Sequence, residues 1–400
     1  MERANRASIE FSLSWVSEYA RHVDRYFAEK VDFWRDIFPG TMEQNISALR
    51  AGETCRETFD SGILVPAHED GKIFRIKGET FETNQGGQTI TPRRGRFYPQ
   101  GFAWSALGCY KGNFTPFRLI DIVGEAMLVD TNHPLARYPL ILEAKYVEKL
   151  GAIEQHGGTC NHIAEMVTNQ GPGMQIPHPD ATTDFYASYP FPRINEGDDT
   201  IFYQLPRIVN HLDNAAIGQV ETLYSRCLSP GMKILDLMSS WTSHLPASLS
   251  DCAVTGLGLN ARELAANKRL SDTVIHDLNA NSSLPFEDNE FDAVICTASI
   301  EYLIRPIEVI SEAARTLKPG GVFITIFSDR WFPGKEILPW PDMHHFERLG
   351  FVFDLYRKVS AFRDLHTESI RGLPRPWDDP HIRETLTSDP IFAVWGTAKD

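Results

Sequence analysis

From Ile201 to the end of the chain, short apolar runs alternate with helix-length stretches, and that alternation admits few folds. KILDL, VTGLGL, TVIHDL, FDAVICTAS and GVFITIF read as buried strands, with FVFDLYR and PIFAVWG as a closing pair. Strands separated by helices need crossover connections and therefore pair in parallel. A parallel sheet covered on both faces accounts for runs that are apolar throughout. One crossover helix is explicit: Pro306 stands in its first turn, Ile307, Ile310, Ala314 and Leu317 share a face, and Gly320-Gly321 follow its end. The expected class is α/β over residues 201–400, preceded by a smaller α+β unit.

The N-terminal half has a different texture. Tyr19, Val23, Tyr26, Phe27, Trp34 and Ile37 recur at helical spacing, and Pro39-Gly40 follows, so the spacing predicts an amphipathic packing helix over 16–38. From Cys55 to about Val147 short alternating runs broken by Gly and Pro predict antiparallel strands. Their last stretch runs strand, strand, then Asp130-Thr131-Asn132-His133-Pro134-Leu135-Ala136, then a strand from Leu140 to Val147. It resembles the closing segment of SlyD-type FKBP prolyl isomerases and implies that fold for about fifty residues, with no aromatic catalytic pocket evident upstream. Residues 151–199 form a Gly/Pro/polar connector rich in His, Cys and Asn, which predicts a loop folded over a pocket. His156, Cys160 and His162 are metal ligands by type, but they lack the paired spacing of a zinc site, so no metal is expected. The organisation read this way is an N-terminal helix (1–40), an FKBP-like β-rich domain (41–150), a connector or lid (151–200) and a C-terminal domain (201–400).

Composition narrows the function. The net charge of −14 argues against nucleic acid or an anionic membrane as partner, since both call for basic surface. No apolar run reaches eighteen residues, and the first residues lack the basic-then-apolar layout of a signal peptide. Six scattered cysteines without a CxxC pair suit reduced thiols, hence a cytoplasmic setting. A small-molecule substrate is the expected partner, and a homodimer is compatible with the sequence.

Open parallel sheets bind ligands beyond the carboxyl ends of their strands, so the residues just past each run are the candidates. After the first run stand Asp236, Met238, Ser239, Ser240, Trp241, Thr242 and His244; after the second, Gly258, Leu259 and Asn260. His276-Asp277-Leu278-Asn279 follow the third and lead to Leu284-Pro285-Phe286-Glu287-Asp288-Asn289-Glu290-Phe291-Asp292. Ala298-Ser299-Ile300-Glu301-Tyr302-Leu303 follow the fourth, and Leu317-Lys318-Pro319-Gly320-Gly321 turns into the fifth. Over about 130 residues this resembles the class I methyltransferases that use S-adenosylmethionine (SAM), which implies a Rossmann-like seven-stranded domain and SAM as cofactor. The resemblance gives Asp236 the place of the acidic residue ending the first strand. It has Asp277 accept from the adenine amino group and the Leu278 N–H meet a ring nitrogen. It puts Ser299, Glu301 and Tyr302 in the active-site segment.

Two positions depart from that family. Its Gly-x-Gly-x-Gly loop is replaced at all three glycine positions, Met238, Ser240 and Thr242; the small hydroxyl residues Ser239 and Ser240 leave room for the cofactor's methionine part and add donors. Its ribose-binding acid is replaced by Gly258, with Asn260 either bonding the ribose, capping the next helix, or both. Upstream, Phe202-Tyr203, Pro206-Arg207, His211 and Asp213, taken with residues 237–244, resemble bacterial and plant methyltransferase-like proteins that share the altered loop. That implies that Tyr203 covers the cofactor, Arg207 pairs with its carboxylate, and His211 and His244 are acid/base groups on the acceptor side. Ser299, Glu301, Tyr302, Asp329, Arg330, Trp331 and Phe332 make a mostly aromatic wall without a basic cluster, which favours a small, poorly charged acceptor. The pattern is also similar to bacterial enzymes that S-methylate hydrogen sulfide and methanethiol, giving methanethiol or dimethyl sulfide. An oxygen or nitrogen acceptor, a non-catalytic SAM-binding or FKBP-like interaction protein, and a chaperone or isomerase are the alternatives.

Overall fold

The computed structural model describes residues 6–85, 88–151 and 158–399. An eleven-stranded sheet runs through both halves of the chain. Its order is Asp272–Ile275, Ala253–Gly258, Lys233–Leu237, Phe291–Thr297, Leu317–Phe327, Ile391–Ala398, Phe362–Arg371, Ala20–Asp32, Arg6–Val16, Leu140–Lys149 and Thr54–Phe59. The first five are parallel. Ile391–Ala398 is antiparallel to both its neighbours. Beyond the seven strands from Lys233 onward the sheet continues, with Phe362–Arg371 pairing in parallel onto Ala20–Asp32.

The parallel strands are buried on both sides, as their unbroken apolar runs require. Leu235 and Leu237 face a core shared with helices Pro306–Thr316 and His345–Val359, while Ile234 faces the opposite core under helix Asn214–Cys227. Asp213 caps that last helix by accepting from the Ala215 and Ala216 N–H groups at 2.9 and 3.0 Å.

Two expected elements are different. The helix over 16–38 is instead strand Ala20–Asp32, joined by a tight turn to Arg6–Val16. Its inward positions include His22 and Asp24, both fully buried, so the two-residue period of its apolar side chains is broken and a helical spacing emerges from residues on different faces. FVFDLYR, expected as a strand, lies inside helix His345–Val359, and the strand it was taken for is Phe362–Arg371. That helix is buried almost all round (Phe346, Leu349, Phe351, Val352, Phe353, Leu355 and Tyr356). A short all-apolar run of this kind has no periodicity that separates helix from strand.

The strand, strand, turn, strand order expected over 116–149 is present as Pro116–Val123, Ala126–Asp130 and Leu140–Lys149. The three do not share a sheet. The first two join Ile73–Lys77 and Phe97–Pro99 in a separate four-stranded sheet, and the third enters the large sheet between Arg6–Val16 and Thr54–Phe59. The connector is a strap more than a lid. Ile163 and Val167 pack into the core of the N-terminal strands, and Phe185, Tyr186 and Phe191 surround Phe351 with ring centroids 5.5–6.1 Å away. Only its final residues reach the carboxyl ends of the parallel strands. His156 lies outside the described residues. Cys160 donates to the Arg35 carbonyl, and among the described residues no group of three or more His, Cys, Asp or Glu is placed to hold a metal ion.

Candidate functional site

A cavity opens where the parallel strands end. Asp236, Met238, Ser239 and Ser240 line it from the first strand's loop, Asn260 from the second, Asp277 and Leu278 from the third, and Ser299 and Tyr302 from the fourth. Tyr203, Arg207, His211 and His244 complete the set expected from the sequence. Glu301 is the exception. It is fully buried behind the wall and points away, because neighbours on the one-turn helix Ile300–Tyr302 cannot face the same way. Burial pushes its carboxyl up to about 8, and its Oε2 has no hydrogen-bond partner. Of the wall expected around 329–332, only Phe332 lines the cavity; Asp329, Arg330 and Trp331 do not.

The loop after the first strand copes without glycine in a specific way. Met238 adopts the left-handed conformation at φ +56°, the state glycine ordinarily supplies. The Ser239 N–H then donates to Leu257 O at 2.8 Å, and its hydroxyl donates to Asp236 at 2.6 Å. Asp236 is buried, which pushes its carboxyl up to about 6 against the opposing bonds from Ser239 and Ser243. Its role here is to hold the loop. Gly258 also has a steric reason: a Cβ there would lie 2.3 Å from the Ser239 carbonyl oxygen. An acidic side chain cannot occupy that position while the loop keeps this path.

Asn260 is fully committed to the protein. Its Oδ1 accepts from the Arg262 and Glu263 N–H groups, capping helix Ala261–Ala266, and its Nδ2 donates to the Tyr203 and Gln204 carbonyls at 2.8 and 3.2 Å. With both donors and the acceptor used, it fixes the Tyr203–Arg207 segment against the sheet, and the expected bond to a ribose is not open to it. Glu263, which the sequence reading passed over, does the same from the next turn: it accepts from the Arg207 N–H at 2.7 Å and the Ser240 hydroxyl at 2.6 Å. An acid three residues after an N-cap was the available signal. Asn279 and Asp199 were missed as well. Asn279 donates to Asp199 and to the Tyr302 carbonyl, while Arg193 and the fully buried Lys335 pair with Asp199 at 2.8 and 2.7 Å. This network clamps the end of the connector to the cavity floor.

Three groups are left with unused hydrogen-bonding capacity. The Arg207 guanidinium is held against the rings of Phe202, Tyr203 and Phe332 at 4.7–5.5 Å. It donates once, to the Phe202 carbonyl, and its Nη1 is buried with no partner. Asp277 accepts from the Asn279 and Ala280 N–H groups through Oδ1 alone, which leaves Oδ2 free among the described residues. The Leu278 N–H likewise has no backbone acceptor among them. A buried guanidinium nitrogen without an acceptor costs stability.

The acceptor end is aromatic. The Tyr302 hydroxyl accepts from the Phe332 N–H at 2.8 Å, and burial raises its pKa well above the usual range, so it is no base near neutrality. Burial lowers the pKa of His244 to about 4, aided by nearby His211, and burial lowers that of His211. Both rings are therefore neutral at pH 7.

Residues 239–325 match the methyltransferase domain family model. The relatives found include a demethylmenaquinone methyltransferase of Paenarthrobacter aurescens, 27% identical over 39% of this chain and 61% of its own length. They also include ubiquinone/menaquinone biosynthesis C-methyltransferases of Chromobacterium violaceum, 26% identical over 38% of this chain and 65% of its own length, and of Bartonella henselae, 32% identical over 34% and 55%. The chain thus spans about three fifths of the length of these relatives. Among solved structures, a SAM-dependent methyltransferase from Aquifex aeolicus is 15% identical and covers 51% of this chain and all of that one, at a TM-score of 0.32. The stretch that matches the family model lies within the C-terminal half and carries most of the loops that line the cavity.

Proposed function

We propose that this chain is a SAM-dependent methyltransferase acting on a small, poorly charged acceptor, with a small thiol such as hydrogen sulfide or methanethiol as the leading candidate. The observation that carries the reading is the unpartnered, buried Nη1 of Arg207, in one cavity with the free Oδ2 of Asp277 and the free N–H of Leu278. An amino-acid carboxylate and an adenine edge present the complementary groups.

SAM, when bound, supplies a methyl group on a sulfonium, open to in-line displacement. Arg207 binds the carboxylate, and Asp277 with Leu278 holds the adenine. Glu263 and Asn260 keep Arg207 and the 239–240 loop in register. Tyr203, Tyr302, Phe332 and Trp241 exclude water and align the acceptor, where orientation alone contributes much of the rate. A thiol needs little further help, because it ionises near neutral pH. His211, which lines the cavity beside Phe332, supports a second reading, an oxygen or nitrogen acceptor that needs a base. The carbon acceptors named for the relatives form a third class for the same test. The FKBP-like part of the N-terminal reading rests on resemblance, and a proline-isomerisation assay on the whole chain tests it.

The deciding experiment has two steps. Calorimetry with S-adenosylhomocysteine comes first, and absence of micromolar-range binding removes the enzyme reading. Incubation with SAM and a panel of thiols, amines, phenols and quinols then reads S-adenosylhomocysteine formation. A thiol turned over fastest is the expected result.

A further inference from the structure

A second and larger cavity, about 1120 Å³, lies between the N-terminal half and the start of helix His345–Val359. It exceeds the range of roughly 300–1000 Å³ usual for small-molecule sites. Tyr98 and Phe102, in ring contact, line one side, and Phe114 stands at its mouth, 84% exposed.

The cations that line this cavity are all paired, and its two acids without an ion pair among the described residues, Glu165 and Asp342, are exposed. Lys72 pairs with Glu69 at 2.7 Å, Arg93 with Asp184 at 3.4 Å and Arg96 with Glu347 at 2.9 Å. Both Glu347 oxygens are taken, one by Arg96 and the Phe97 N–H, the other by the His344 N–H. Burial lowers the pKa of His133, His344 and His345, which leaves them neutral at pH 7. An anionic ligand would face Glu347 and find no free cation, and a cationic one would find no free carboxylate at the floor. One polar opportunity is unused: buried Arg96 donates through Nε and Nη2, and its Nη1 has no acceptor among the described residues.

We propose that this cavity is a second binding site, for a flat, uncharged aromatic molecule that carries a carbonyl or similar acceptor. The rings of Tyr98, Phe102 and Phe114 take its faces by stacking, and Arg96 Nη1 donates to its acceptor. The site is independent of the methyltransferase reading, since none of its residues lines the first cavity.

Titration of the full chain with the neutral, carbonyl-bearing fluorophore 6-propionyl-2-(dimethylamino)naphthalene tests this. A saturable one-to-one rise in emission is expected, weakened about fivefold or more by Phe114→Ala and by Thr91→Trp, which fills the mouth. Both substitutions are at exposed positions, so folding is retained. Arg207→Met in the first cavity should leave the titration unchanged. The anionic 1-anilinonaphthalene-8-sulfonate should bind more weakly than the neutral dye. No saturable signal, a signal indifferent to both variants, one lost with Arg207→Met, or tighter binding of the anionic dye overturns the assignment.

Discussion

The two ends of the eleven-stranded sheet obey different rules. In its parallel part, Lys233–Leu237 is buried at four of five positions, and every loop at the carboxyl ends opens into one cavity. In its antiparallel part, Arg6–Val16 alternates buried with half-buried from Ile9 to Trp15, a tight turn joins it to Ala20–Asp32, and among the described residues none before Asp199 lines that cavity. Parallel pairing forces long crossovers and gathers their loop ends on one side, while antiparallel pairing spreads its turns. The candidate site lies where the topology concentrates loops, and the antiparallel strands supply an extension of the sheet.

The join between the parts is the first place to break that comparison. Asp24 accepts from Ser369 at 2.7 Å and from Arg371 at 2.8 Å, and His22 bonds Thr367 at 2.8 Å, all fully or nearly fully buried. Removing one partner of a buried ion pair costs about 3–5 kcal/mol. Asp24→Ala should therefore give the largest stability loss, as a lower urea midpoint in one cooperative transition followed by both far-UV and aromatic signals. Two separate transitions, with the later one at the wild-type midpoint, would mean that the halves fold independently.

Arg207→Met sharpens the functional side. A charge-assisted hydrogen bond of about 1.5–3 kcal/mol corresponds to roughly 10–150-fold in affinity. Calorimetry should show S-adenosylhomocysteine binding weakened in that range with the urea midpoint nearly unchanged. An unaltered affinity would remove Arg207 from cofactor binding.

Glu301 and Tyr302 make the same contrast within one turn: one faces the core, the other the cavity. The Glu301 carboxyl goes from 4.5 in the unfolded chain to about 8 in the folded one. A raised carboxyl pKa means the folded state holds the proton longer, so stability falls as pH rises from 4.5 towards 8. Glu301→Gln should be indistinguishable from wild type below pH 4.5 and more stable by about 1 kcal/mol or more at pH 8, with S-adenosylhomocysteine affinity unchanged. A loss of affinity in this variant would return Glu301 to the site. Buried His244 works the other way: its folded value near 4 lies below the unfolded one, so its contribution is present above pH 6.5 and lost as pH falls towards 4.

The parallel part was legible because both faces of its strands are buried and its loop residues follow directly from strand ends. Thirteen of the fourteen residues expected to bind the cofactor or act in catalysis line the cavity; Glu301 does not, because sequence adjacency does not say which way a one-turn helix points, and neither do Asp329, Arg330 and Trp331 of the expected wall. The antiparallel part was opaque for a physical reason. His22 and Asp24 occupy inward positions that the pattern reserves for apolar residues, and the partners that satisfy them, Thr367, Ser369 and Arg371, lie some 345 positions away. Likewise Gly258 looked like a lost ribose ligand until the Ser239 carbonyl was seen to fill its Cβ position.

Asn260 gives the smallest and most diagnostic effect. Its Oδ1 caps a helix, while its Nδ2 ties the Tyr203–Gln204 carbonyls to the sheet. Asn260→Asp keeps the cap and loses the tie; Asn260→Ala loses both, at about 1 kcal/mol for the cap. If Asn260 acts by positioning Arg207, both variants should weaken S-adenosylhomocysteine by a similar few-fold factor, and only the alanine variant should lower the urea midpoint. A direct bond to the ribose hydroxyls predicts another order, because a carboxylate accepts from a ribose better than an amide does: Asn260→Asp would then bind as well as wild type or tighter. The ratio of the two affinities therefore separates a residue that touches the ligand from one that holds the segment carrying Arg207.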